Sequence, residues 1–257
     1  MSTPLLDFFR RGDVARDLRL LAAQGALAPR AHEQLGLLAL LVSDPDAEVS
    51  RAAEATLAAI PGASLSTFLA RSDVSAELRS FFAARGIEPA IATAAAAGGA
   101  PIDADLPLVD TSGASIEVEM DDEQSAVQRL SSMSVAQRVT RAIKGTREER
   151  SVLIRDPNKL VSAAVLSSPK VSDNEVESFA RMANVSEEVL RVIGTTRAWM
   201  KNYAVMSALT RNPKTPVALS MNLLVRLTDR DLRQLTTDRN VPDVLRLTAK
   251  KKLANEK

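Results

Sequence analysis

DPNKLV at 156–161, NVSEEV at 184–189, NPKTPV at 212–217 and NVPDVL at 240–245 recur at one constant interval, and that recurrence decides the fold. Each opens on Asp156, Asn184, Asn212 or Asn240 and carries an aliphatic residue five positions on: Val161, Val189, Val217 or Leu245. A constant period with one polar and one apolar position held in place marks an array of stacked helices. Asp or Asn at the head of each unit predicts an N-cap, because its side-chain oxygen accepts from the free amides of the next turn. Pro157 and Pro213 fit the first helical position, where a missing N–H costs nothing. After Asn184, Val185, Val189, Val192 and Ile193 fall on one side of a helix, opposite Glu187, Glu188 and Arg191. A second helix fits the back half of each unit, marked by Val176, Phe179 and Ala180, by Ala204, Met206, Ala208 and Leu209, and by Leu232 and Leu235. Two helices of about 11 residues are each about 16 Å long, too short to hold alone in water, so each must bury its stripe against its neighbours.

Earlier in the chain the same signature recurs more loosely. Asp13 with Leu18, Asp44 with Val49, and Asp73 with Leu78 repeat the pairing of a polar start with an aliphatic fifth position, but the interval between starts drifts. The segment 38–62, LALLVSDPDAEVSRAAEATLAAIPG, resembles the bacterial HEAT-like repeats first described in phycobilisome lyases. Asp44, Pro45, Asp46, Val49, Ala53 and Leu57 match that pattern, whereas Ser50 stands where arginine is usual and Arg51 follows one place later. The resemblance implies an α-solenoid, strongly over one repeat and more weakly over about two thirds of the chain. It carries over no lyase residue and no pigment chemistry.

Between the two sets of repeats the periodicity stops. The run AIATAAAAGGA at 90–100 is low in complexity, and eight acidic residues with no basic one follow between Asp103 and Glu123. Three segments are therefore expected: an N-terminal HEAT-like helical domain at 1–86, an acidic linker at 87–122, and a C-terminal helical-repeat domain at 123–257. Charge divides the same way, with net −10 over 1–125 and net +11 over 126–257. Ile116, Val118 and Met120 alternate with Glu117 and Glu119, so a short extended strand would let the acidic tether dock on the basic domain.

With 46% hydrophobic residues but 3% aromatics, the core must be aliphatic. Apolar runs such as 35–42 are too short to cross a bilayer, and residues 1–13 lack the h-region and cleavage site of a signal peptide. No membrane insertion and a cytoplasmic location are expected. Absence of cysteine excludes disulfides, thiolate metal sites and a cysteine nucleophile. His32, the single histidine, suits a surface or boundary position. Adjacent carboxylates at Glu148 and Glu149, and at Glu187 and Glu188, point about 100° apart on a helix and form no catalytic pair. No phosphate-cradling or nucleophile-elbow motif occurs. No cofactor, metal or catalytic residue is expected.

Arg155, Arg211 and Arg239 each precede a repeat start, and Arg197, Trp199, Lys201 and Tyr203 bring the only Trp and the only Tyr into a basic neighbourhood. These seven form the expected interaction face; the competing expectation for the arginines is a bond to their own helix end or cap. Together the signals predict a non-enzymatic scaffold or adaptor that offers a curved helical-repeat surface to an acidic protein partner. The alternative is nucleic-acid binding by the basic domain. A third is a HEAT-like DNA-repair enzyme, against which the scarcity of aromatics counts.

Overall fold

A computed structural model describes residues 3–28, 30–90, 108 and 126–255. Among them are sixteen α-helices, one 3₁₀ turn and no strand, so the chain is all-α. It divides into two compact units, Met1–Gly145 with Ser167–Pro169, and Thr146–Leu166 with Lys170–Lys257. Helices at 126–144, expected among the basic C-terminal repeats, cluster with the first unit.

In the first unit the helices are α1 (Pro4–Arg11), α2 (Arg16–Ala23), α3 (Ala31–Leu41), α4 (Ala47–Ala59), α5 (Gly62–Leu69), α6 (Ala76–Ala83), α7 (Ala126–Ser132) and α8 (Val135–Lys144). Thr3 starts α1 by accepting from the Leu6 amide, and Gly12 ends it with φ of 78°, a left-handed backbone that suits a residue without Cβ. The apolar run beginning at Leu35 becomes α3, around which α1, α2, α4 and α6 pack; Leu35, Leu37, Leu38 and Leu41 are all buried. A helix wrapped on several sides needs no polar face, which is why this stretch shows little amphipathic alternation. Asp46 caps α4 by accepting from the Glu48 and Val49 amides, while Asp44 accepts from the Asp46 amide at 2.9 Å and is gripped by Arg19 at 3.0 Å. The apolar partners Leu18, Val49 and Leu78 are buried as expected.

One buried carboxyl in this unit is unlike the rest. Glu33 is 1% exposed and accepts a hydrogen bond from the Thr3 hydroxyl. Ser167 lies beside the same carboxyl without a formed hydrogen bond. Burial pushes the Glu33 carboxyl up to about 7, opposed by Thr3, Arg30 and Ser167.

The second unit alternates two kinds of helix. α9 (Arg147–Leu153), α11 (Asp173–Arg181), α13 (Tyr203–Arg211) and α15 (Asp229–Thr237) are the first members of each pair; α10 (Lys159–Ser167), α12 (Glu187–Thr195), α14 (Val217–Leu224) and α16 (Asp243–Asn255) are the second. α11 packs on α9, α13 packs on α11, α12 and α14, and α16 packs on α14 and α15. Every pair is joined by a loop of the same length: 154–158, 182–186, 212–216 and 238–242.

The expected caps stand in those loops rather than at the helix ends. Helices begin at Lys159, Glu187, Val217 and Asp243, and the residues that cap the first two are Asn158, accepting from the Leu160 amide, and Ser186, accepting from the Val189 amide. Asp156 and Asn212 instead accept from the amide two positions on, at 2.8 and 3.0 Å. That is an Asx turn, a bond of the same local chemistry as a cap made before the helix begins. Val161, Val189 and Leu245 are buried, but Val217 is 43% exposed, against expectation. The longer connection between α12 and α13 holds the 3₁₀ turn Trp199–Lys201, and it shifts the start of α14 two positions later than the regular period requires. Leu219 therefore takes the third helical position that Val161, Val189 and Leu245 hold, and its side chain packs against Gly194 on α12.

A second repeat, unnoticed in the sequence, fixes the first helices of the pairs. Thr146, Ser172, Asn202 and Thr228 are their N-caps, and the stretch from Ser172 to Asn202, which contains the 3₁₀ turn, is longer than the stretch on either side of it. Thr146 with Glu149 and Ser172 with Glu175 close reciprocal capping boxes. Glu175 also accepts from Arg150 of α9 at 3.0 and 2.9 Å, both side chains being 5% exposed.

Candidate functional site

α13 and α15, with the last residue of α11, border a groove of about 870 Å³ within the second unit. Its cations are Arg181 at the end of α11, Arg211 at the end of α13, and Arg230 on the first turn of α15. Asp231 is the carboxylate among its lining residues, and Ala204, Ala208 and Pro213 supply short apolar surface.

The geometry around Asp231 is built by the capping chemistry of α15. Thr228 caps the helix by accepting from the Asp231 amide, and its hydroxyl bonds one Asp231 carboxylate oxygen, Oδ2, at 3.0 Å. The Tyr203 hydroxyl donates to that same oxygen and accepts from the Thr228 amide at 3.0 Å. The other oxygen, Oδ1, takes Nη2 of Arg211, which also donates to Gln234 Oε1 at 2.7 Å. Tyr203, Asp231 and Arg211 thus form a strut joining α13 to α15. The Tyr203 hydrogen bond, with Thr228 and the charge of Arg211 adding to it against partial burial, holds the Asp231 carboxyl below its usual range.

Of the seven residues expected on the interaction face, the fold brings Tyr203 and Arg211 together in this groove. Arg155 is exposed and donates from Nε to the Ser151 carbonyl of the preceding helix α9 at 3.1 Å. Arg197 and Lys201 are exposed and Trp199 is half-buried, in or beside the 3₁₀ turn. Arg239 is exposed in the loop before α16. Asp231, Arg181 and Arg230 were not anticipated. A signal for Asp231 was present: Thr228 and Asp231 repeat the spacing of Ser172 and Glu175. Nothing in the sequence joined Arg181 to Arg230, since only the packing of successive helices brings them to one groove.

In the first unit His32 is half-buried beside a cleft of about 620 Å³, and burial holds its pKa below the usual imidazole range. The proposed acidic linker falls outside the described residues apart from 87–90 and Leu108, and so does the expected strand at 116–120. The Leu108 amide donates to Gln34 Oε1 on α3 at 2.8 Å. No helix among the described residues is long and apolar enough to cross a membrane. Comparison with protein families, curated proteins and solved structures gives no match.

Proposed function

We propose that the chain is a non-enzymatic protein-interaction scaffold, a HEAT-like solenoid of short helix pairs in two domains joined by an acidic linker, acting in the cytoplasm on an acidic partner. The observation that carries this reading is the groove beside α13, which three arginines from three successive first-member helices of the second unit line, one of them paired with Asp231. A surface of that kind selects discrete negative charges at fixed spacing. The short helix pairs supply the rigidity, because each is held by packing on its neighbours and by bonds such as Arg150 to Glu175.

Nucleic-acid binding is the competing function, favoured by the charge of +11 over 126–257. The two separate in one titration series. The full chain is mixed with a Glu-rich polypeptide, with duplex DNA and with single-stranded RNA, each over a range of salt. Binding of the polypeptide alone supports the scaffold. Nucleic-acid affinity that falls steeply with salt, without polypeptide binding, replaces it with the competing function.

A further inference from the structure

We propose that the groove between α13 and α15 holds an extended acidic segment of a partner polypeptide, with one ligand carboxylate on Arg211 and others on Arg181 and Arg230. The proposal rests on the reading that the chain binds an acidic protein, and it names the place.

Arg211 is oriented but not exhausted. Both of its hydrogen bonds leave from Nη2, and its Nε and Nη1 groups have no partner among the described residues. Its side chain is 37% exposed, so those donors are open to a ligand. Asp231 is fixed on its far oxygen by Tyr203 and Thr228, and therefore holds the guanidinium in place before any ligand arrives. Pre-ordering a long side chain removes part of the entropic cost of binding.

The contrast with Arg150 sharpens the assignment. There too a capping carboxylate grips an arginine from the preceding first-member helix, but the pair is buried and Arg150 spends both Nε and Nη2 on Glu175. That pair is a sealed joint. At Asp231 the same device stands open to a groove.

The flanking cations are available as well. Arg181 is 68% exposed and pairs with Glu177 one turn back on its own helix, a surface contact that a ligand carboxylate displaces at little cost. Arg230 is exposed and has no partner among the described residues. Between the arginines, Ala204, Ala208 and Pro213 leave room for small aliphatic side chains. A polyphosphate fits less well, because Asp231 keeps a negative charge in the groove. A segment with separated carboxylates meets that charge once, beside Arg211, whereas a polynucleotide brings a phosphate at every residue.

The test is fluorescence anisotropy with the full chain and a short labelled peptide in which Glu alternates with Ala and Leu, beside its Gln-for-Glu counterpart. The Glu peptide is expected to bind and the Gln peptide not. Arg211→Gln should weaken binding about tenfold or more, and Arg181→Gln and Arg230→Gln each several-fold. Arg155→Gln and Arg239→Gln, outside the groove, should leave it unchanged. Circular dichroism checks each fold, and Arg230→Glu, a change at an exposed position, provides a charge reversal that should abolish binding. Equal weakening by all five arginine variants would overturn the site while leaving an acidic partner in place. Failure of the Glu peptide to bind the native chain at low salt would remove the proposed function together with the site. Single-stranded DNA that displaces the peptide and follows the same variants would reassign the groove to a polyanion and overturn the peptide.

Discussion

Replacing Glu33 by Gln should stabilise the first unit in a way that depends on pH. The folded chain holds the Glu33 proton up to about 7, against 4.5 for an ordinary glutamate. At about 1.4 kcal/mol per pH unit, that gap corresponds to about 3 kcal/mol. Because the raised pKa belongs to the folded state, the native chain binds the proton more tightly than the unfolded chain. The contribution to stability is whole below 4.5, declines as pH rises, and is lost above about 7. Glutamine cannot ionise and keeps an oxygen for the Thr3 hydroxyl, so Glu33→Gln escapes the loss. Urea unfolding followed by circular dichroism, on both proteins across this range, measures the difference. The variant should match the native chain near pH 4.5 and exceed it by about 3 kcal/mol near pH 8.5. A difference that stays flat between those limits would show that the Glu33 carboxyl is not destabilised by burial, and the reasoning would fail.

Breaking the sealed pair by Glu175→Gln should cost about 3–5 kcal/mol, measured by chemical denaturation, because it removes the carboxylate from a buried ion pair; a loss below about 1 kcal/mol would contradict the burial of the pair. Asn212 donates to the Ala180 and Met182 carbonyls at 2.8 and 3.0 Å and is buried, whereas Asn184 and Asn240 are exposed. Asn212→Ala should therefore lower stability by about 1–3 kcal/mol, and Asn184→Ala by less than about 0.5 kcal/mol, although the sequence repeat treats them alike. A Cβ at Gly194 would sit 2.4 Å from Leu219 Cδ2, so the Leu219 side chain must shift, and Gly194→Ala should gain less than the about 1 kcal/mol that alanine adds inside a helix. In a Leu219→Ala background the clash disappears; a double-mutant cycle with no coupling would refute the α12–α14 contact.

The sequence by itself determined that the chain is helical and where its aliphatic interior lies. Leu18, Val49, Leu78, Val161, Val189 and Leu245 are buried because a short helix must hide its stripe wherever the pairs end up. At Asp156 and Asn212 it misplaced the caps because an Asx turn and an N-cap are the same hydrogen bond, from a backbone amide to a side-chain oxygen, made a step apart. The even spacing of Asp156, Asn184, Asn212 and Asn240 concealed helix starts at Lys159, Glu187, Val217 and Asp243 that are unevenly spaced, and only packing revealed that Leu219 had taken the position expected of Val217. Tertiary structure alone decided the groove. Arg181, Arg211 and Arg230 belong to three different helices, and their convergence follows from packing between successive helices, which no local pattern encodes. The capping pair of Thr228 and Asp231 was legible; its engagement with Tyr203 and Arg211 was not, because that depends on how far α13 lies from α15.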